Sequence, residues 1–159
     1  MALTIRNVVD IILKDIPGAP FEDTVDTFKS GDPDQDVTGI VTTFLASYNV
    51  IRKASELGAN FIIAHEPTFY NHLDRVDWLE MDKVYQAKRK LLEENHIVVW
   101  RFHDYWHSHE PDGIMAGVAA KLGWGSYLEK ELPIFNVPPM TVREVVQVFK
   151  DRLGGKMVR

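Results

Sequence analysis

Residues 58–69 read Gly-Ala-Asn-Phe-Ile-Ile-Ala-His-Glu-Pro-Thr-Phe. The apolar run at 60–64 is short and continuous, the pattern of a strand buried on both faces. Upstream, Ser47 caps a helix with Val50, Ile51, Ala54 and Leu57 on one side, and Gly58 stops it at the C′ position. Before that helix, residues 38–45 are β-branched and apolar and read as another strand. Downstream, a loop over 65–78 leads to a helix over 79–94, with Met81, Val84, Ala87 and Leu91 inward. A further strand follows at 97–102. Strand–helix alternation with buried strands predicts an α/β fold, a mostly parallel sheet with helices packed on it.

The flanks complete the order. Thr4 caps a helix over 4–16 with Val8, Val9, Ile12 and Ile16 on its stripe, ended by Pro17, Gly18 and Pro20. Residues 21–37 are acidic and turn-rich, with a short strand expected near Val25–Phe28. Asp112 caps a helix carrying Ile114, Met115, Val118, Ala119 and Leu122, and Gly123 ends it. Thr141 and Glu144 form a capping box for a last helix to about Leu153. Residues 1–159 are expected to form one domain. Gly154-Gly155 followed by Met157-Val158 reads as the entry to a strand over Lys156–Arg159, so a C-terminal continuation is expected.

Composition narrows the chemistry. The chain has 159 residues and no cysteine, which excludes disulfide scaffolds, thiolate metal sites and thiol nucleophiles. The formal net charge is −5, and the densest basic stretch, Lys88-Arg89-Lys90, is followed at once by Glu93 and Glu94. Nucleic-acid binders carry a basic excess or stripe, so no nucleic-acid partner is expected. Apolar runs fall far short of the ~20 residues that span a bilayer. Met-Ala-Leu-Thr-Ile has neither the basic nor the apolar region of a signal peptide. A cytoplasmic protein without a membrane partner is the expectation.

No phosphate-loop, dinucleotide-fingerprint or nucleophile-elbow motif is present in the sequence. Histidine with acid remains. One cluster, His65-Glu66-Pro67, follows the strand at 60–64; the other, His103-Asp104-Tyr105-Trp106-His107-Ser108-His109, follows the strand at 97–102. Parallel strands put both at carboxyl ends of the sheet, where open α/β sheets bind ligands. Converging imidazoles and carboxylates suit a divalent zinc, manganese, iron or nickel ion. The zinc-protease helix is excluded, because Phe69 replaces its second histidine and Pro67 would break it. His72 and His96 read as structural or solvated, and Trp100 as core. Tyr105 or Trp106 is a candidate pocket wall, and His109 and Glu110 are either supporting partners or capping groups.

These segments resemble the Nif-three-like dinuclear metal-centre family, some of whose members are called GTP cyclohydrolase I type-2 homologues. The resemblance is carried by Val37–Val41, Val50–Ala54, Gly58–Phe69, the strand ending at Phe102 with His103 through His107, and the helix from Gly113 to Gly123. Glu66 stands where the family pattern has a second histidine, and His107 where it has an aspartate. One imidazole is exchanged for a carboxylate and one carboxylate for an imidazole, a compensated swap. The resemblance implies His65, Glu66 and His107 as metal ligands, His103 as a metal ligand or a catalytic proton carrier, and Asp104 in support. It places the family's remaining histidine and glutamate ligands beyond the residues present here.

The leading expectation is a metal-binding protein with metal-dependent hydrolase chemistry on a small cyclic or phosphorylated metabolite, assembled as a homo-oligomer. The alternative is a metal-stabilised oligomeric scaffold or regulatory adaptor, with aromatics such as Trp124 and Tyr127 serving contacts. A third reading is a metal-free core with altered ligands.

Overall fold

The computed structural model describes residues 2–129 and 132–156. The expected strand over Lys156–Arg159 lies almost wholly outside them. Chain contacts divide into two compact units, 1–105 and 106–159.

The first unit opens with helix α1, Ile5–Leu13, under a reciprocal capping box between Thr4 and Asn7. Strand β1 is Phe28–Ser30 and β2 is Ile40–Thr43. Helix α2 is Tyr48–Glu56, capped by Ser47 Oγ, and β3 is Phe61–Ala64. Helix α3 is Lys83–Glu94, with Asp82 accepting from the Val84 and Tyr85 N–H groups, and β4 is Val98–Arg101. A one-turn helix, α4, Asp104–His107, continues directly from the end of β4. The unit boundary falls within that turn, between Tyr105 and Trp106.

The four strands lie in the order β1-β4-β3-β2. β2, β3 and β4 are parallel, in register Ile40↔Phe61↔Val98 through Thr43↔Ala64↔Arg101. β1 is antiparallel to β4, with a register break between Phe28 and Ser30. The expected α/β fold with a mostly parallel sheet is therefore present. The first strand sits slightly later than expected and runs the other way.

Alternating side chains of β3 and β4 feed two cores, as strand geometry requires. Phe61, Val98 and Trp100 pack with Ile5, Val9 and Ile16 on the α1 side. Ile62, Ala64 and Val99 pack with Ile51, Ala54 and Leu92 on the α2–α3 side. The face of α3 differs from the sequence expectation: Tyr85 and Leu92 are buried, while Met81 is 87% and Val84 77% exposed. The helix begins only after Asp82, so Met81 lies outside it, and the packed stripe is set by Tyr85 and Leu92. Leu57, expected inward, is exposed beyond the end of α2.

In the second unit α5 is Gly113–Leu122, capped by Asp112 and closed by Gly123 at φ 73°. A 3-10 turn, Gly125–Tyr127, leads on, and α6 is Val142–Leu153 under the expected Thr141–Glu144 capping box. Trp124, expected to be free for contacts, packs edge-on against Phe135 and Phe149. Among the described residues no helix is long and apolar enough to cross a membrane.

Candidate metal centre

Parallel pairing brings the carboxyl ends of β3 and β4 side by side, so the residues that follow them are neighbours. His65 follows β3, and His103 sits between β4 and α4. Their rings stack with centroids 4.7 Å apart. His107 follows His103 by one helical turn on α4. One ring nitrogen from each of His65, His103 and His107 falls within 4.8 Å of the others. All three side chains are partly buried.

Each ring is oriented through Nδ1. His65 Nδ1 lies 3.2 Å from the Phe102 carbonyl. His103 Nδ1 lies 2.9 Å from Asp104 Oδ1, and His107 Nδ1 2.5 Å from Asp112 Oδ2. Carbonyl and carboxylate oxygens only accept, so in the neutral ring Nδ1 carries the hydrogen and Nε2 the lone pair. Carboxylate–imidazole pairs of this kind orient metal-binding histidines and raise their basicity. The donor set thus fits a divalent ion: three neutral imidazoles, with the remaining coordination positions left to water or substrate.

The carboxylates are held ionised. Burial pushes Asp104 up, but His103, the Val25 N–H and the Thr24 hydroxyl donate to it and leave it below the ordinary carboxylate range. Burial likewise opposes the lowering of Asp112, and the bonds from His107 and from the Ile114 and Met115 N–H groups prevail. Asp112, read from sequence as a helix cap, is therefore also the partner of His107. His109 instead turns its Nδ1 to the Trp106 carbonyl, 3.1 Å away.

Glu66 is not part of the three-histidine set. Its N–H donates to the Phe44 carbonyl at 2.8 Å, next to the bond from the His65 N–H to Thr43. Tyr105 belongs to the core at 3% exposure.

Three positioning residues escaped the sequence reading. Arg101 is fully buried at the end of β4. Its Nε donates to the His65 carbonyl at 3.2 Å, and its two terminal nitrogens meet the His72 carbonyl and His72 Nδ1. The guanidinium thus ties the residue after β3 to the loop holding His72, whose ring meets His103 edge-on at 5.2 Å. Asp26 is also buried and accepts from the His103 and Tyr105 N–H groups, both at 2.8 Å. Asp74 collects the N–H groups of Thr68, Phe69 and Tyr70 and shapes the loop after His65. A lone Arg in an apolar run and Asp residues in loops carry no local signal of these roles.

The Asp112 pair yields a clean test. Asn is as good a helix cap as Asp but brings no charge to the imidazole. Asp112→Asn should lower divalent-metal affinity about 10–100-fold with little change in thermal midpoint. Calorimetric titration beside thermal unfolding reads both quantities.

Known proteins place this geometry in a family. The family model Duf34/NIF3 (NGG1p interacting factor 3) matches residues 3–159. A GTP cyclohydrolase 1 type 2 homolog of Clostridium perfringens is 26% identical over 140 residues, spanning 81% of this chain and 52% of the relative. The chain thus spans about half the length of that curated relative. Among solved structures, protein ybgI, of unknown function, superposes with TM-score 0.73 at 23% identity, over 97% of this chain and 62% of its own. Reduced HcgD from Methanocaldococcus jannaschii gives 0.63 at 19% identity, over 94% and 60%. A Bacillus cereus protein related to NIF3 gives 0.62 at 21%, over 77% and 33%. These structural likenesses establish the fold, and the match over nearly its whole length shows that the chain belongs to the Duf34/NIF3 family.

Proposed function

We propose that this chain carries a divalent-metal site of His65, His103 and His107 and that the site serves hydrolysis of a small cyclic or phosphorylated metabolite. The observation that carries the reading is the set of three imidazoles with each Nδ1 committed to a carbonyl or carboxylate and the ring nitrogens gathered within 4.8 Å. A bound ion supplies Lewis acidity and a water acidified toward neutrality. The chain's own part is to hold three neutral rings and to keep Asp104 and Asp112 ionised behind two of them. Glu66, the residue next to His65, is the proposed carboxylate ligand, its side chain turning toward the rings when metal binds.

The test is titration of the purified chain with zinc and with manganese at pH 7.5 and 5.5, beside metal-dependent hydrolysis of bis(p-nitrophenyl) phosphate. The expected result is at most one weakly held ion per chain. Its affinity should fall at pH 5.5, because protons compete with metal for imidazole. The ion should be lost to chelator without unfolding, since the two apolar cores are independent of it. Equal affinity at both pH values removes the histidines from the ligand set, and cooperative unfolding on chelation makes the metal structural.

A second reading, an oligomeric scaffold, is favoured by one observation. Tyr70 and Trp78 pack edge to face, 4.8 Å between centroids, lining one shallow depression with the exposed Val84. Such an apolar patch suits a self-association surface. Sedimentation of the chain as a monomer at all concentrations counts against it.

A further inference from the structure

A cleft of about 640 Å³ lies in the first unit, apart from the three histidines, between β1 and α3. Its volume suits a small organic ligand. Phe28, Phe69, Val76, Tyr85 and Leu92 supply apolar wall. Its charged groups are committed elsewhere, with one exception. Asp74 accepts from three backbone N–H groups. Asp32 accepts from the Asp34 N–H at 2.9 Å. Glu93 pairs with Arg89 at 3.2 Å, and Arg89 also reaches Glu80 at 3.4 Å. Gln35 is held at both ends, by the His96 carbonyl and by Asn60. Lys29 is the exception: it is half-buried on β1 and makes no hydrogen bond or ion pair to any described residue.

Burial holds the Lys29 ammonium below the ordinary lysine range, and the nearby Arg101 charge pushes the same way against the pull of Asp74. Arg101 in turn bonds to His65 and His72 and makes no ion pair with a described carboxylate. An anion entering the cleft would therefore meet a cation in a partly dry site with no competing counter-charge in contact, where a charge-assisted hydrogen bond is at its strongest.

We infer that the cleft between β1 and α3 binds a small aromatic anion, its ring against Phe69, Val76 and Tyr85 and its carboxylate or phosphate on Lys29. The inference is independent of the metal reading, since it uses none of the three histidines.

The experiment uses the purified chain after metal removal. Phenyl phosphate and benzoate are titrated by heteronuclear NMR, with inorganic phosphate and benzyl alcohol as half-ligands. At least one aromatic anion should bind about tenfold or more tightly than either half-ligand, because each of these lacks one of the two contacts. Amide shifts should gather at Phe69, Val76 and Tyr85. Lys29→Met should weaken the aromatic anion at least about tenfold while leaving benzyl alcohol unchanged, and Lys29→Arg should restore binding. Phenyl phosphate in preference to benzoate marks a phosphorylated ligand, and the reverse a carboxylate. Absence of saturable binding by both, shifts centred on His65 and His103 instead, or binding indifferent to Lys29→Met would each overturn the inference. The wild-type shift map decides the matter even if a variant fails to fold.

Discussion

His103→Ala should reduce divalent-metal affinity by about 100-fold or more. His103 is linked to both others: its ring stacks on His65 at 4.7 Å, and it lies one helical turn before His107. Losing a supporting carboxylate costs a metal site about 10–100-fold, and losing the ligand itself should exceed that. The fold should survive, because the His103 N–H still donates to buried Asp26 and the cores lie elsewhere. Calorimetry with zinc, beside a far-ultraviolet dichroism melt, separates the two quantities. Unaltered affinity would exclude His103 from the site. His65→Ala should give a similar loss, and the double variant should be little worse than either, since the ligands act as a unit.

Arg101→Leu should have the largest effect on stability, on the order of 3 kcal/mol. The side chain is wholly buried and bonds to three acceptors on two loops. Leucine fills part of the volume but leaves the His65 carbonyl without its donor, and each buried polar group so orphaned costs about 1–3 kcal/mol. Arg101→Lys should not rescue it, because a single ammonium cannot reproduce the planar fork that reaches His65 and His72 together. Urea denaturation measures the loss. The same variant should also bind metal more weakly, since the backbone at His65 is no longer held. A change below about 0.5 kcal/mol, the usual size of an inconsequential surface substitution, would contradict the assigned role.

The elements that were legible in the sequence are those with local causes. Thr4, Ser47, Asp112 and Thr141 announce helix starts by side-chain chemistry that acts within three residues, and each does cap a helix. The runs before His65 and His103 are apolar on both faces because both faces are covered. The juxtaposition of His65, His103 and His107 was legible because parallel pairing needs only strand order to align carboxyl ends. What was hidden depends on distant partners. Arg101 looks like an interruption of β4 until the two loops it ties are known. Asp26 sits in a turn-rich stretch and acts 77 residues away, on His103. Helix α4 has four residues, too few for any periodicity to register. β1 has three, and its antiparallel direction follows from a pairing with β4 that no local pattern encodes.

The clamp made by Asp26 bears on the order of events after synthesis. The turn carrying His103 and His107 is hung by its N–H groups from a carboxylate that emerges from the ribosome some 77 residues earlier. Closing so long a loop is entropically slow, and contacts of that span form late in folding. The β3–β4 pairing that sets His65 beside this turn, Phe61 with Val98, closes a shorter loop and is favoured earlier. An ion held by the three imidazoles would engage the chain only once both contacts are made, and because it binds the folded state alone, its supply in the cell would add to the stability of the fold by mass action.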